Sequence, residues 1–420
     1  MSAPRAYLDW NASAPLRPEA RDAMRAAMDE SGNPSSVHAE GRKAKAIVER
    51  ARAQVADLAG CSPGEVIFTS GATESVAAVI GAKPWRRILT SGVEHDAVEA
   101  SVLAADRELH RLGTAKTGAI ALDDAGEHPQ EIVGAADDEW LLPCSSGPLY
   151  GREASFLKDA DDLLCLQAAN GETGVYHQLD RFIDGAGRSV TMLCDLTQVA
   201  GRPIKAPDNA GGAFSLRDPM GEHYREGVYS HGAMSAHKLG GPKGVGAIIS
   251  RGAADLGPFL SGGGQEHGRR AGTENTIGIA GFGAAAEAAK RDLEAGVWDQ
   301  VENLRNIIEY SLEAAAPDLT FIGRDAPRLP NTSCFAMPEW KGETQVMQMD
   351  LAGFAVSAGS ACSSGKVNRA SRVLLAMGFD ETTASSAIRV SLGPTNTEAE
   401  VRAFADAWIA AYRRWKAKAA

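Results

Sequence analysis

Long apolar runs, paired cysteines and an excess of positive charge are all missing from this 420-residue chain. No apolar stretch approaches the ~18 residues that a membrane-crossing helix needs. The opening Met1-Ser-Ala-Pro-Arg-Ala-Tyr-Leu-Asp-Trp lacks the basic start and apolar core of a signal peptide. The six cysteines (Cys61, Cys144, Cys165, Cys194, Cys334 and Cys362) form no Cys-x-x-Cys pair. Their scatter argues against a metal site or a disulfide framework and fits reduced thiols in a cytoplasm. A formal net charge of −11 gives no electrostatic case for nucleic acid. The short basic end, Arg413 to Lys418, reads as a solvated helix terminus. The 45 glycines show neither a collagen-like period nor an internal repeat. These absences lead us to expect a soluble, cytoplasmic protein with no membrane, nucleic-acid or metal partner.

What is present is a chain long enough for two domains at 44% hydrophobic content. Apolar residues at 44, 47, 48, 51, 55 and 58 mark an amphipathic helix from Arg42 to Gly60. Glu65-Val-Ile-Phe-Thr-Ser reads as a buried strand, and Ala72 to Ala82 as the next helix. Short apolar runs recur at 87–90, 163–168, 190–194 and 244–250. Such alternation predicts an α/β fold, a mainly parallel sheet with helices on both faces, and ligands beyond the strands' carboxyl ends. From about 274 the texture changes to two long helices (274–294, 297–316), short strands near 319–323, 333–336 and 387–391, and a last helix from about 397. A glycine-rich joint, Ser261-Gly-Gly-Gly-Gln-Glu-His-Gly, lies near the boundary. Residues 206–228, rich in Gly, Asp and Pro, read as a surface excursion.

Six segments carry residues suited to chemistry. In Ser70-Gly71-Ala72-Thr73-Glu74, between a strand and a helix, glycine lets a phosphate approach the backbone. The free N–H groups of the helix start, with the Thr73 hydroxyl, favour an anion there. An ordinary strand-to-helix turn explains the same residues. In Ser235-Ala-His237-Lys238-Leu-Gly-Gly-Pro, Ser235 and His237 suit the phosphate of a cofactor whose aldehyde sits on Lys238. A desolvated lysine among cationic neighbours has the lowered pKa that such a bond requires. Asp195, just after the run 190–194, can pair with a protonated pyridine nitrogen, and Gln198 can donate to the ring's phenolic oxygen. Asp195 also fits a helix cap. His95, past another strand, can stack on a flat cofactor and exchange protons near neutrality. Cys362 lies in Ser357-Ala-Gly-Ser-Ala-Cys-Ser-Ser-Gly-Lys, a small-residue run that suits a mobile loop and a nucleophilic thiol. Cys165 and Cys194, inside apolar runs, read as buried. Arg389, amid strand-like apolar residues, needs an anion, which a substrate carboxylate supplies bidentately.

In this order the segments resemble the cysteine desulfurases of the NifS/IscS type, in the class V aminotransferase group of fold-type I pyridoxal-5′-phosphate (PLP) enzymes. The resemblance runs nearly end to end. It includes Tyr7-Leu-Asp-Trp-Asn-Ala-Ser-Ala-Pro, Gly32-Asn-Pro-Ser-Ser-Val-His and Arg270-Ala-Gly-Thr-Glu-Asn besides the segments above. It implies a large PLP-binding domain over 16–261 with a mainly parallel sheet of the seven-stranded type. Residues 1–15 and 262–420 would form a smaller α+β domain carrying the Cys362 loop. It implies that Lys238 is the Schiff-base lysine, that Gly71, Ala72, Thr73, Ser235 and His237 hold the phosphate, and that Asp195 and Gln198 tune the ring. It makes His95 the stacking residue, Arg389 the carboxylate binder and Cys362 the persulfide carrier. Thr273 would reach the phosphate of a neighbouring subunit in a homodimer. The substrate would be L-cysteine, and the sulfur would pass to an acceptor or scaffold protein, as in iron–sulfur cluster assembly.

Two departures stand out. Where the family reads Asn-Asn-Glu-x-Gly, this chain has Asn170-Gly171-Glu172-Thr-Gly, and Asn170 is taken as the substitute substrate contact. The 206–228 excursion also lengthens the spacing from Asp195 to Lys238. A selenocysteine lyase, a class V aminotransferase or a non-catalytic PLP-fold partner protein are the other readings.

Overall fold

The computed structural model describes residues 5–120, 161–177, 179, 191–204, 230–252, 256–359 and 370–419. The 206–228 excursion and Cys362 lie outside them. In chain order the first elements are β1 (Ala6–Tyr7), α1 (Pro18–Met28), α2 (Ala39–Ala59), β2 (Val66–Thr69) and α3 (Ala72–Gly81). Next come β3 (Arg87–Ser91), α4 (Asp96–Ala104), β4 (Glu108–Leu112), β5 (Asp162–Gln167) and β6 (Thr191–Asp195). Then follow β7 (His231–Ser235), β8 (Gly246–Ser250), α5 (Thr276–Glu294), α6 (Val297–Ala315), β9 (Thr320–Ile322) and β10 (Thr332–Ala336). The chain ends with α7 (Gly342–Leu351), β11 (Phe354–Ala355), β12 (Ser357–Ala358), α8 (Arg372–Ala376), α9 (Glu381–Ser386), β13 (Ala387–Ser391) and α10 (Glu398–Ala419).

Seven strands form one sheet in the order β2-β8-β7-β6-β5-β3-β4. The pairs from β7 through β6, β5 and β3 to β4 are parallel; β8 runs antiparallel to both its neighbours. This is the α/β sheet expected. Its interior strand β5 is buried along its whole length, which is why Leu163-Leu-Cys-Leu reads as an unbroken apolar run. The periodicity misses β4 and β7 for different reasons. The edge strand β4 carries Glu108, His110 and Arg111, charges that guard an exposed edge. In β7, His-Gly-Ala-Met-Ser is wholly buried without being an apolar run. Helix α2 starts three residues before its expected position because the His38 side chain caps it by accepting from the Gly41 N–H.

The long helix α5 lies along α1 and α2. Gly283 permits the approach: a Cβ there would meet the Ala51 Cα at 2.5 Å. A second, antiparallel sheet has the order β12-β13-β10-β9. Strand β1 pairs with β11, and Asp9 bridges to Ser391, so the first residues join the C-terminal sheet region. They then cross to the carboxyl ends of β5–β7, where Asn11 is 1% exposed. No described helix is long and apolar enough to cross a membrane.

Candidate active site

Lys238 ends a short turn, Ala236–Lys238, that begins where β7 stops. Its Nζ donates to the Asn11 carbonyl at 2.5 Å and to that of Ala12 at 3.2 Å. The Gln198 Nε2 donates to the same Asn11 oxygen at 3.1 Å. Arg202 fixes which end of that amide faces which way, since its Nη1 donates to Gln198 Oε1 at 2.6 Å. Arg202 also donates to Asn11 Oδ1 and to the Lys238 carbonyl. These acceptors are neutral oxygens, and burial, aided by Arg389, brings the Arg202 pKa down to about 9. One of Gln198's two amide protons is thus committed to the backbone, and the other is the one open to a ligand.

The turn after β2 reaches the same end of the sheet. Gly71 precedes α3 with no side-chain cap, so among the described residues the first N–H groups of the helix have no side chain on them. Thr73 is exposed beside it. Gly246 of β8 packs on this turn so tightly that a Cβ there would meet the Gly71 Cα at 2.6 Å. Across from it, Ser235 ends β7 and is buried, while His237 Nδ1 lies 3.3 Å from the Ser13 hydroxyl. Burial, then Lys238 and Lys243, hold the His237 pKa down at about 4, so the imidazole is neutral at pH 7. Arg270, three residues before the exposed Thr273, ties its segment to α3 by donating to Glu74 Oε1 at 2.9 Å.

Asp195 closes β6 with its Oδ1 accepting from the Thr197 N–H at 2.9 Å, the turn-holding contact the sequence also allows. His95 caps α4, its Nδ1 accepting from the Ala97 N–H at 3.1 Å. That contact leaves the neutral ring's proton on Nε2. The neighbouring Glu94 side chain points inward, 0% exposed. Ser91 Oγ donates to its Oε1 at 2.6 Å, while its Oε2 has no side-chain partner among the described residues. Burial, with Asp195 adding to it, raises its pKa to about 8, so this acid is largely protonated at neutrality.

Arg389, on β13, is 4% exposed and already has an anion. Its Nη2 donates to Asp9 Oδ1 at 2.6 Å and its Nη1 to the Gly171 carbonyl at 2.9 Å. The anion that its burial demands is therefore resident in the protein, a partner that the Arg389 segment read alone did not reveal. Asn11 Nδ2 donates to the same Gly171 oxygen at 3.1 Å. Asn170, expected to contact substrate, has both ends of its amide engaged by backbone groups. Its Nδ2 donates to the Val93 carbonyl, and its Oδ1 accepts from the N–H groups of Glu172 and Thr173. A Cβ on Gly171 would meet Gln198 Nε2 at 3.0 Å, so the missing side chain leaves room for the Gln198 amide.

Lys238, Gln198 and Arg389 therefore meet around Asn11 and Gly171. Asp195, His95, Ser235 and His237 stand at the neighbouring strand ends and turns. Asp9, Asn11, Glu94, Glu172 and Arg202 are site residues that the motif reading missed as individuals. The signal for Asp9 and Asn11 was the Tyr7-Leu-Asp-Trp-Asn segment itself; Arg202 stands one helical turn beyond Gln198. The cysteines seen are unsuited to attack: burial pushes Cys61 up to about 12, and Cys165, Cys194 and Cys334 well above the ordinary thiol range.

Comparison with known proteins gives the family. The class V aminotransferase profile matches residues 6–133 and 231–404. The cysteine desulfurase of Cereibacter sphaeroides is 37% identical over 406 residues, 94% of this chain and 93% of that one. That of a Frankia strain is 38% identical over 414 residues, 95% and 89% of the two chains. The X-ray structure of a NifS-like protein from Rickettsia africae superposes with a TM-score of 0.77 at 28% identity, covering 97% of this chain and 99% of the other. The chain belongs to the class V aminotransferase family and, within it, to the cysteine desulfurases of the NifS/IscS type.

Proposed function

We propose that this desulfurase removes the sulfur of L-cysteine with Lys238 and Arg389 holding the reacting amino acid and Cys362 receiving the sulfur. The observation that carries the assignment is a run of three hydrogen bonds. Lys238 Nζ meets the Asn11 carbonyl, Asn11 Nδ2 meets the Gly171 carbonyl, and Arg389 Nη1 meets that same Gly171 oxygen. A reactive amine and a guanidinium are thereby held to one rigid, buried strap, as binding one amino acid by both its ends requires.

The residues fit PLP. The uncapped start of α3 at Gly71 and Ala72, the hydroxyls of Thr73 and Ser235, and His237 near two lysines form a donor set for a phosphate dianion. Lys238 would hold the aldehyde, Asp195 the ring nitrogen, Gln198 a ring oxygen through its second N–H, and His95 the ring face. When bound, PLP supplies an electron sink for the carbanion formed at the substrate.

The chain's own groups do the rest. Arg389 exchanges part of its contact with Asp9 for the substrate carboxylate. Lys238 Nζ takes the substrate Cα proton, and the Nε2–H of His95 is the donor on the cofactor's open side. The Cys362 thiolate attacks the substrate sulfur: an S–S bond forms, the Cβ–S bond breaks, and the carbon released as L-alanine takes up a proton. The products are L-alanine and a Cys362 persulfide, which passes its outer sulfur to an acceptor or scaffold protein, as in iron–sulfur cluster assembly. Asn170 keeps the turn in shape rather than touching substrate. Exposed Thr273 serves the phosphate of a second subunit in a homodimer, and the enzyme works in the cytoplasm. Residues 16–261 act as the cofactor-binding domain, with 1–15 and 262–420 as the smaller one.

The test is incubation with L-cysteine, then mass spectrometry for a gain of about 32 Da on the Cys362 peptide. Alanine formation is expected to vanish in Cys362→Ala while the yellow cofactor absorbance survives, and the absorbance to vanish in Lys238→Ala. PLP-loaded protein that makes no alanine from cysteine, with or without an acceptor, would refute the assignment.

A further inference from the structure

Glu172 lies in the turn after β5, 5% exposed, with its N–H fixed by Asn170 Oδ1 at 2.9 Å. Its carboxyl is wedged between two points of the chain that are distant in sequence. A Cβ on Gly359 would meet Glu172 Oε1 at 2.4 Å, so that oxygen rests on the Gly359 backbone. The Ser371 hydroxyl hydrogen-bonds the same carboxyl. Gly359 and Ser371 are close neighbours, since a Cβ on Gly359 would lie 3.4 Å from the Ser371 Cβ. Between these two residues the sequence holds Cys362.

Both points are tied to the active site. Ahead of Gly359, Ser357 pairs with Arg389 across β12 and β13, and its Oγ donates to Asp9 Oδ2 at 2.8 Å. Beside Ser371, Arg372 donates to the carbonyls of Gly92 and Glu94 and to Asp96 Oδ1, gripping the turn that carries His95. Glu172 thus touches both flanks of the Cys362 segment.

We propose that Glu172 is a positioning residue, whose carboxyl joins Gly359 to Ser371, the two flanks of the Cys362 segment, and so supports persulfide formation. The inference rests on the assignment of Cys362 as sulfur acceptor. Its Oε1, pressed on Gly359, has no hydrogen-bond partner among the described residues, an arrangement that is costly for a carboxylate and tolerable for an acid. The groups facing Glu172 are Ser371, Arg389 and Arg372, which favour its charged form, and Cys334 on β10. Burial outweighs them and raises its pKa to about 7. Deprotonation above that pH places a negative charge between the two flanks and loosens their contact.

The experiment compares PLP-loaded wild type, Glu172→Gln and Glu172→Ala in two stages. The first is the spectral change on adding L-cysteine, which needs no Cys362. The second is the rate of mass gain on Cys362, measured from pH 6 to 9. Glu172→Ala is expected to keep the first and slow the second by about tenfold or more. Glu172→Gln, a permanently neutral isostere, should keep wild-type rates at pH 6 and lack the wild-type decline through pH 7. Hydrogen exchange at 357–359 and 371–374 should quicken in Glu172→Ala and stay near wild type in Glu172→Gln. An unchanged persulfide rate in Glu172→Ala, or an equal loss in both stages, overturns the proposal. If Glu172→Ala does not fold, a Glu172→Gln profile that still turns at pH 7 overturns it alone. Wild type that forms no persulfide at all would instead refute the functional assignment.

Discussion

Glu266 and Glu172 are almost equally sealed from water, at 4% and 5% exposure, but the protein surrounds them differently. Glu266, in the glycine-rich joint, meets Arg52 through two bonds of 2.8 and 2.9 Å and also accepts from the Phe68 N–H. Arg52 in turn donates to the Val66 carbonyl and lies over the Phe68 ring. Every strong group there has a geometric match, so the pair holds the joint to α2 and β2. Among the described residues, Glu172 and Glu94 each keep an oxygen without a partner, and both have raised pKa values. A matched buried carboxylate serves structure, whereas an unmatched one retains a proton whose loss near neutrality changes the local charge.

The largest effect should come from breaking the matched pair. Glu266→Ala leaves the Arg52 guanidinium buried without its carboxylate and should cost about 3–5 kcal/mol, seen as a lower melting temperature. The double change Arg52→Met with Glu266→Leu should recover most of that loss, because a packed apolar pair needs no desolvation of charge. Recovery of nothing would show that the joint depends on the Phe68 and Val66 backbone contacts instead.

A smaller effect should separate the two regions by pH. Glu94 has a folded pKa raised to about 8, so its stabilising contribution is full below the unfolded value of about 4.3 and lost as pH rises through 8. Glu94→Gln should therefore flatten the decline in melting temperature between pH 5 and 8. The buried histidines have the opposite sign. Burial lowers His177 and His231 to about 4, so the stability they contribute is present above about 6.5 and lost as pH falls through 4. Melting curves from pH 7 to 4 in wild type and His177→Phe should diverge at the acid end.

The smallest effect should come from Gly171→Ala. Its Cβ would meet Gln198 Nε2 at 3.0 Å, which asks for a shift of a few tenths of an ångström. We expect about 1 kcal/mol or less in stability. The clearer readout is a displaced cofactor absorbance band, because Gln198 shares the Asn11 carbonyl with Lys238.

Much of the fold was legible in the sequence because its signals are local. Apolar runs marked β2, β3, β5, β6 and β8, and helical periodicity marked α2, α3, α5 and α6. Strand β7 was not legible, because a strand buried between neighbours needs small residues as much as apolar ones. The motifs likewise brought forward Lys238, Asp195, His95 and Arg389, whose residue types declare their chemistry. The motif reading missed the roles of Asn11, Arg202 and Glu172, since an asparagine, an arginine or a glutamate looks solvated until its partners arrive from remote segments.

The sequence by itself determined the family, the order of the elements and the identity of the reactive groups, because these follow from residue type and short-range spacing. Only the tertiary structure decided that Asp9 already neutralises Arg389, that the Asn170 amide is tied to the Val93 carbonyl, and that Glu172 touches both flanks of the Cys362 segment. Each depends on contacts between residues far apart in the chain, and burial there sets whether a charge is matched, shared or left with a proton.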